Sequence, residues 1–384
     1  MEIHGSCDPR FAAVREVFEE HFRRGLEIGA AVALCVEGER VVDLWAGHAD
    51  PAGTRPWERD TIVNVYSTTK AWTALCALRL VDEGRLDLDA PVARYWPEFA
   101  RGGKEEIPVR WLLSHRAGLP AVREPLPGDA LYDWDAMCEA LARQEPWWPP
   151  GTRHGYHALT FGWLVGEVVR RVSGKGLGRH FREEIAGPLG LDLHVGLSAE
   201  DQRRCADMGP MAPPSPDAGA DAMEMARLML QEPEGMVARA FLNPPSMAAG
   251  PNLPAWRSAE IPAANGHGTA RDLAGLYGLL ALDDGRILAP ETLARARTEE
   301  SAGPDAVLQM PTRIGLGFML PQARREARFG PGEGAFGHPG AGGSVGFADP
   351  ERRVGFGYVM NRMGPRILLD DRPLALVDAA FASL

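Results

Sequence analysis

Lysine is nearly absent from this chain: of 41 basic residues only Lys70, Lys104 and Lys175 are lysines, and the rest are arginines. Arginine does not give up its proton in a protein, so only these three side chains offer an amine that can. Cysteine is also scarce. Cys7, Cys35, Cys76, Cys138 and Cys205 are odd in number, widely scattered and without a Cys-x-x-Cys pair, which argues against a disulfide framework or a zinc site and predicts a reduced, cytoplasmic protein. Residues 1–9 lack the basic region and apolar core of a secretory signal, and no apolar run approaches the ~20 residues of a membrane span. Nor is there a basic stripe. With 52 acidic residues the formal net charge is −11, which excludes nucleic acid and anionic membrane as expected partners and favours a small neutral molecule. No cofactor is implied, there is no internal repeat, and the oligomeric state is not legible.

What is present is ordinary globular material, 45% hydrophobic and 24% charged over 384 residues, enough for two domains or one with an inserted lobe. Asp8-Pro9 predicts a capped first helix ending at Gly25. Two β-rich runs, 31–36 and 41–45, flank Glu37-Gly38 and read as a hairpin. Helical faces follow over 71–81, 109–114, 134–143 and from 159 to 169. A Pro-, Ala- and Gly-rich stretch, 206–222, reads as a long surface loop, and 221–231 as a helix whose methionines belong to the core. Thr269 opens another helix through a capping box. Residues 315–320, 343–348 and 354–360 read as strands, the last two joined by a hairpin turn, with a terminal helix over 372–380. Strands at both ends and helices between them predict an α/β fold: a sheet domain from 1–84 and 270–384, with 85–269 inserted as a helical domain.

The chain is organised around residues 61–70, where an apolar run stops at Ser67 and helical periodicity begins. Ser67 and Lys70 stand at i and i+3, neighbours on one helix face about 5–6 Å apart. A serine hydroxyl needs a base before it becomes a good nucleophile, and a desolvated lysine can be that base. Position 70 carries one of the few deprotonable amines.

Four blocks together carry a resemblance. Ser67-Thr68-Thr69-Lys70, Leu112-Leu113-Ser114-His115-Arg116-Ala117-Gly118-Leu119, Pro150-Gly151 ahead of Tyr156, and His338-Pro339-Gly340-Ala341-Gly342-Gly343 resemble, in order and spacing, the serine β-lactamase and penicillin-binding-protein superfamily. The likeness covers nearly the whole chain and is greatest to the class C-like branch with the family VIII carboxylesterases. It implies a β-lactamase-like fold, a central antiparallel sheet flanked by helices with a mainly helical lobe inserted. It further implies Ser67 as the acylated nucleophile, Lys70 as its proton-transfer partner, Tyr156 as a phenol of lowered pKa acting as base and acid, and the N–H groups of Ser67 and Ala341 as oxyanion donors beside His338 and Gly340.

Two departures refine this. The third position of the tyrosine motif, often Asn in the family, is Ala158, and the Lys-Thr-Gly block reads His338-Pro339-Gly340. The amide and the permanent cation that would hold a peptide-like or carboxylate-bearing substrate are gone. The expectation is therefore a carboxylesterase cleaving short-chain esters, a small-molecule substrate, through an acyl-enzyme. A β-lactam or D-amino-acid amide hydrolase is the alternative, and a catalytically silent binding protein the non-enzyme one. Gly342-Gly343-Ser344-Val345-Gly346 matches a nucleophile elbow, but all ten histidines lie at or before His338, so Ser344 has no downstream base. His115 is expected to satisfy backbone groups, His154 and His157 lack a completing metal ligand, and Trp134, Trp147, Trp148 and Trp256 lie where they can line an acyl pocket.

Overall fold

The computed structural model describes residues 1–210, 220–245, 250–366 and 368–384. Part of the expected 206–222 loop, residues 211–219, lies outside them. The main sheet draws three strands from each end of the chain: β1 (His4–Cys7), β2 (Gly29–Val36) and β3 (Glu39–Gly47), then β9 (Phe336–Pro339), β10 (Val345–Asp349) and β11 (Val354–Met360). The order is β1-β3-β2-β11-β10-β9, every pair antiparallel. The seam between the two halves is β2 against β11, with Val36 opposite Val354 and Ala30 opposite Met360. Glu37 and Gly38, both at positive φ, close the β2–β3 hairpin as its two-residue loop.

A smaller sheet, β4 (Val63–Asn64), β6 (Gly266–Gly268) and β5 (Leu193–Val195), ties the segment before Ser67 to the stretch between the two halves. A two-stranded ribbon is made by β7 (Ser301–Pro304) and β8 (Pro311–Ile314). Helices α1 (Ala12–Arg23), α2 (Thr69–Asp82), α3 (Val109–Leu113), α4 (Trp134–Arg143), α5 (Thr160–Ser173), α6 (Leu177–Phe181), α7 (Ala220–Gln231), α8 (Met236–Leu242), α9 (Pro254–Ser258), α10 (Ala270–Leu282), α11 (Pro290–Ala296) and α12 (Asp371–Ala382) complete it. Among the described residues no helix is long and apolar enough to cross a membrane.

The alternation Gly355-Phe356-Gly357-Tyr358 explains how the sheet receives its helices, because side chains along a strand point to opposite faces. Phe356 stacks on Phe347 and Phe347 on Phe381 of α12. On the other face the glycines let α10 lie directly on the strand. A Cβ at Gly355 would stand 2.1 Å from the nitrogen of Gly278, and one at Gly357 2.4 Å from the carbonyl of Ala270.

The helix after Ser67, α2, is buried on nearly every side, as expected of a helix apolar all round. Trp72 stacks on Phe181 of α6 at 5.5 Å. Two expectations need correction. Residues 315–317 form a bend, and the expected 315–320 strand is reduced to a bridge at Met319, which pairs with Gly337 and Ile314. Gly317 turns left-handed at φ 78 and passes so close to α2 that a Cβ would sit 2.2 Å from that of Ala74. Two methionines of α7 are less buried than expected: Met225 and Met229 are half-buried, Met225 packing on the edge of the core, and Leu230 is 83% exposed, while the Met223 side chain lies outside what is described.

Replacing Gly355 by Ala should lower the unfolding free energy by about 1–3 kcal/mol, the usual cost of overpacking, measured by urea denaturation. An unchanged midpoint would mean that α10 is not seated on that strand.

Candidate active site

The turn that carries Ser67 is built by backbone. Val65 N–H donates to Gly266 (2.8 Å), and Tyr66 then adopts φ 46, a conformation uncommon for a bulky residue. Thr68 to Val65, Thr69 to Tyr66 and Lys70 to Ser67 close successive turns at 3.2, 3.0 and 3.0 Å. Ser67 is thus presented half-buried at the N-terminal end of α2, where the helix dipole favours negative charge.

Lys70 Nζ lies 3.1 Å from Ser67 Oγ, 2.8 Å from the Ala158 carbonyl and 2.9 Å from the Ala263 carbonyl. The side chain is fully buried. Burial alone pushes its pKa well below that of a solvated lysine. A neutral amine has two N–H groups and one lone pair. In that form its two N–H groups would serve the two carbonyls, and its lone pair would face the Ser67 hydroxyl. Lysine is not reserved for this purpose, however. Lys104 is also buried, bonded to the carbonyls of Arg101, Ala142 and Gln144, and Lys175 pairs with Glu183 and Glu184.

Tyr156 arrives from the stretch before α5, its ring centroid 4.6 Å from Lys70 Nζ and its hydroxyl hydrogen-bonded to Ser67. The expected lowering of its phenol is reversed: burial, the largest effect, pushes it up. Asp305 adds to the rise, and the Ser67 hydroxyl opposes it. Ser67, Lys70 and Tyr156 are therefore together, with burial raising the phenol and lowering the amine.

Tyr156 is held by a residue that sequence reading missed. Asp305 is buried and accepts from the N–H groups of Tyr156, Val307 and Leu308, each at 2.9 Å, and from the Thr312 hydroxyl at 3.2 Å. Pro304-Asp305 does signal a turn, but nothing in the sequence points from it to Tyr156. His115, left-handed at φ 61, accepts from the N–H of His157 through Nδ1 (3.0 Å), the backbone role expected of it. His157 Nε2 accepts from Leu119 N–H (3.0 Å) while Nδ1 donates to Gly155 (2.7 Å). His154 turns instead to Thr312 at 2.8 Å. Burial pushes His157 and His338 down to about 3, and His115 also well down.

His338 lies on β9 with Nδ1 on the Pro339 carbonyl (2.7 Å) and its ring centroid 6.0 Å from that of Tyr156. Gly340 follows, pressed against the nucleophile turn: a Cβ there would meet the Val65 carbonyl at 2.1 Å. Ser344 is buried and donates to that same carbonyl at 2.8 Å, so it is a tie between strand and turn rather than an exposed elbow. Ala341 is exposed at the lip of the site. The N–H groups of Ser67 and Ala341 have no backbone or side-chain acceptor among the described residues. Trp134, half-buried, bonds Glu167 (2.8 Å) and lines a surface pocket with Tyr132, Arg170 and Glu260, a set that contains none of Ser67, Lys70 and Tyr156, while Trp256 is buried and bonds Asn64 (3.0 Å). Trp148 stands edge-on to His157 at 6.3 Å, and Trp147 bonds the Ala121 carbonyl at 2.9 Å. Among the described residues no group of three or more His, Cys, Asp or Glu is arranged to hold a metal ion.

Asp305→Ala should destabilise the protein by about 2–4 kcal/mol, since three buried N–H groups lose a charged acceptor. Asp305→Asn, which keeps an oxygen there, should recover most of that in thermal unfolding; equal losses would mean the carboxylate does not hold the Tyr156 segment.

Comparison with known proteins bears on the family and the fold. A family model described as Beta-lactamase matches residues 16–380. The Esterase/beta-lactamase LipL of Mycobacterium tuberculosis is 39% identical over 379 residues, covering 96% of this chain and 85% of that protein. A penicillin-binding protein homologue from Caulobacter crescentus superposes with a TM-score of 0.90 at 43% identity, and a family VIII carboxylesterase with 0.88 at 42%, each over 100% of both chains. The matched span and the shared fold show that this chain belongs to the beta-lactamase family.

Proposed function

We propose that the protein is a carboxylic ester hydrolase that works through an acyl-enzyme on Ser67. The observation that carries this reading is the environment of Lys70, an amine buried without a counter-charge, with two carbonyls on its N–H groups and the Ser67 hydroxyl at 3.1 Å. Lys70 takes the Ser67 proton as Oγ attacks the ester carbonyl. The resulting oxyanion is received by the N–H groups of Ser67 and Ala341, preorganised donors of a kind worth about 10²–10³ in rate each. Tyr156, still protonated, gives its proton to the departing alkoxide and is restored from the Lys70 ammonium across the cluster. Water then attacks the acyl carbon, its proton returns through the same groups to Ser67 Oγ, and the acid leaves.

The chemistry of the rim supports a neutral, short-chain ester. His338 and Ala158 replace groups that would anchor a carboxylate or a peptide, and the imidazoles around Ser67 are pushed towards their neutral form by burial. The names of similar proteins point the same way: LipL is called an esterase/beta-lactamase, and a protein of Burkholderia gladioli, 31% identical over 325 residues, is called Esterase EstB.

Ser67→Ala should abolish both p-nitrophenyl butyrate hydrolysis and labelling by a fluorophosphonate. Lys70→Ala should reduce kcat by about 10²–10⁴, the range of a general base, with the fold retained; unaltered turnover would remove Lys70 from the mechanism. Because Lys70 acts only when neutral and its pKa is lowered, kcat/KM should fall as acid protonates it. The plateau should be reached well before the ~10.4 of a solvated lysine. A profile still rising at that pH would contradict a buried, depressed amine. His338→Lys restores a cation at the rim and should improve cephalosporin hydrolysis relative to ester hydrolysis; an unchanged ratio would mean anchor loss does not set the preference.

A further inference from the structure

The turn that presents Ala341 is made of Gly340, Ala341, Gly342 and Gly343. It has no side chain beyond one methyl with which to hold itself. Gly342 and Gly343 stand at φ 85 and φ 123, regions that glycine enters freely and can therefore leave freely. On its inner side the turn is fixed to the nucleophile segment, through the close pass of Gly340 by Val65 and through the Gly340 N–H bond to the Ser344 carbonyl at 2.6 Å. Its outer side depends on a single carbonyl. Gly342 oxygen accepts from Gly364 N–H at 2.8 Å and from Arg372 Nη2 at 2.6 Å.

Arg372 lies at the start of α12 and is 6% exposed. Its guanidinium is fully engaged. Nη2 also donates to Asp370 Oδ2 (2.6 Å), Nε donates to both Asp370 oxygens (3.3 and 3.2 Å), and Nη1 donates to Glu27 Oε2 (2.8 Å) and the carbonyls of Arg362 (2.9 Å) and Leu26 (3.4 Å). Glu27 accepts in turn from the Tyr358 hydroxyl. A buried ion pair by itself is weak evidence of stabilisation, because desolvation offsets its attraction. What arginine adds is a planar fork of five donors, which lets one group bind two carboxylates and still direct an N–H at the glycine turn. The turn packs directly on this cluster: a Cβ at Gly343 would lie 2.9 Å from Asp370 Oδ2 and 3.0 Å from Arg372 Nη2.

We propose that Arg372, held in place by Asp370 and Glu27, is a positioning residue that fixes the glycine turn and so aims the Ala341 N–H at the developing oxyanion. The inference rests on the reading of Ala341 as an oxyanion donor. Arg372 touches no substrate; it acts through the Gly342 carbonyl. Losing that grip lets the turn drift, and a displacement of about 1 Å in a reacting geometry costs about 10²-fold in rate.

The test uses the full chain and p-nitrophenyl butyrate. Arg372→Lys keeps the charge but not the fork and should lower kcat about 10–100-fold with KM changed less than about threefold. Tyr358→Phe removes only the hydroxyl that serves Glu27 on the far side of the same cluster. It should lower the melting temperature and leave kcat within about twofold, so the two variants separate positioning from stability. A wild-type kcat in Arg372→Lys, or losses of kcat that track melting temperature alike in both variants, would overturn the proposal. Should Arg372→Lys fail to fold, Asp370→Asn, which loosens Nη2 and keeps Arg372, is read for the same split between kcat and KM. Ser67→Ala tests the underlying mechanism separately. Turnover without Ser67 would dispose of the acyl-enzyme itself, whereas a dead Ser67→Ala beside an unimpaired Arg372→Lys would dispose of the clamp alone.

Discussion

An ammonium ion stripped of water and given no anion is among the costliest states a protein interior can hold, and the cost is relieved by losing the proton. The surroundings of Lys70 push it that way. They offer carbonyl oxygens, which accept N–H groups without demanding a full charge, and among the described residues no carboxylate bonds the amine. The one buried acid below the tyrosine, Asp305, has its oxygens occupied by three backbone N–H groups and a threonine hydroxyl. The imidazoles obey the same rule: burial is the largest influence on His115, His157 and His338, and Lys70 itself opposes their protonation. A proton placed on one member of the cluster is therefore unfavourable for the others. Arginine could not take part, which gives chemical content to the choice of lysine at position 70.

The fold supplies this environment largely with backbone. The carbonyls that define Lys70 come from Ala158 and Ala263, the turn beneath Ser67 is fixed by Val65 and Gly266, and the facing turn consists of glycine and one alanine. Side chains enter mainly as ties: Ser344 to Val65, Asp305 to Tyr156 and Arg372 to Gly342. Tyr66 and His115, both left-handed, mark where the chain bends away from its easiest conformations to bring these pieces together. Such bends persist because the packing around them leaves no alternative.

Much of this was legible in the sequence because it is local. The Ser67 and Lys70 approach follows from helical spacing, the β2–β3 hairpin from its Glu37-Gly38 turn, and β10 and β11 from alternating apolar residues. The four-block resemblance located Tyr156 and the glycine turn. What stayed hidden is non-local. The β1 and β9 strands are four residues each and carry no strong alternation, and the bend at Gly317 is forced by Ala74, distant in sequence. The direction of the Tyr156 shift is set by its own burial, which only the folded chain shows. Asp305 and Arg372 look like any surface acid or base until the chain is folded around them.

The pairing of β2 with β11 sets a condition on how the molecule comes into being. Ala30 waits for Met360, and the Val65 carbonyl for Ser344, so a nascent chain emerging from the ribosome carries its hydroxyl and amine long before it owns the strand that completes their surroundings. Contacts so distant along the chain slow folding, and a sheet lacking half its strands exposes an unpaired edge meanwhile. Competence therefore arrives only with the last strand, and a message truncated before β11 would yield neither a stable sheet nor a partial catalyst.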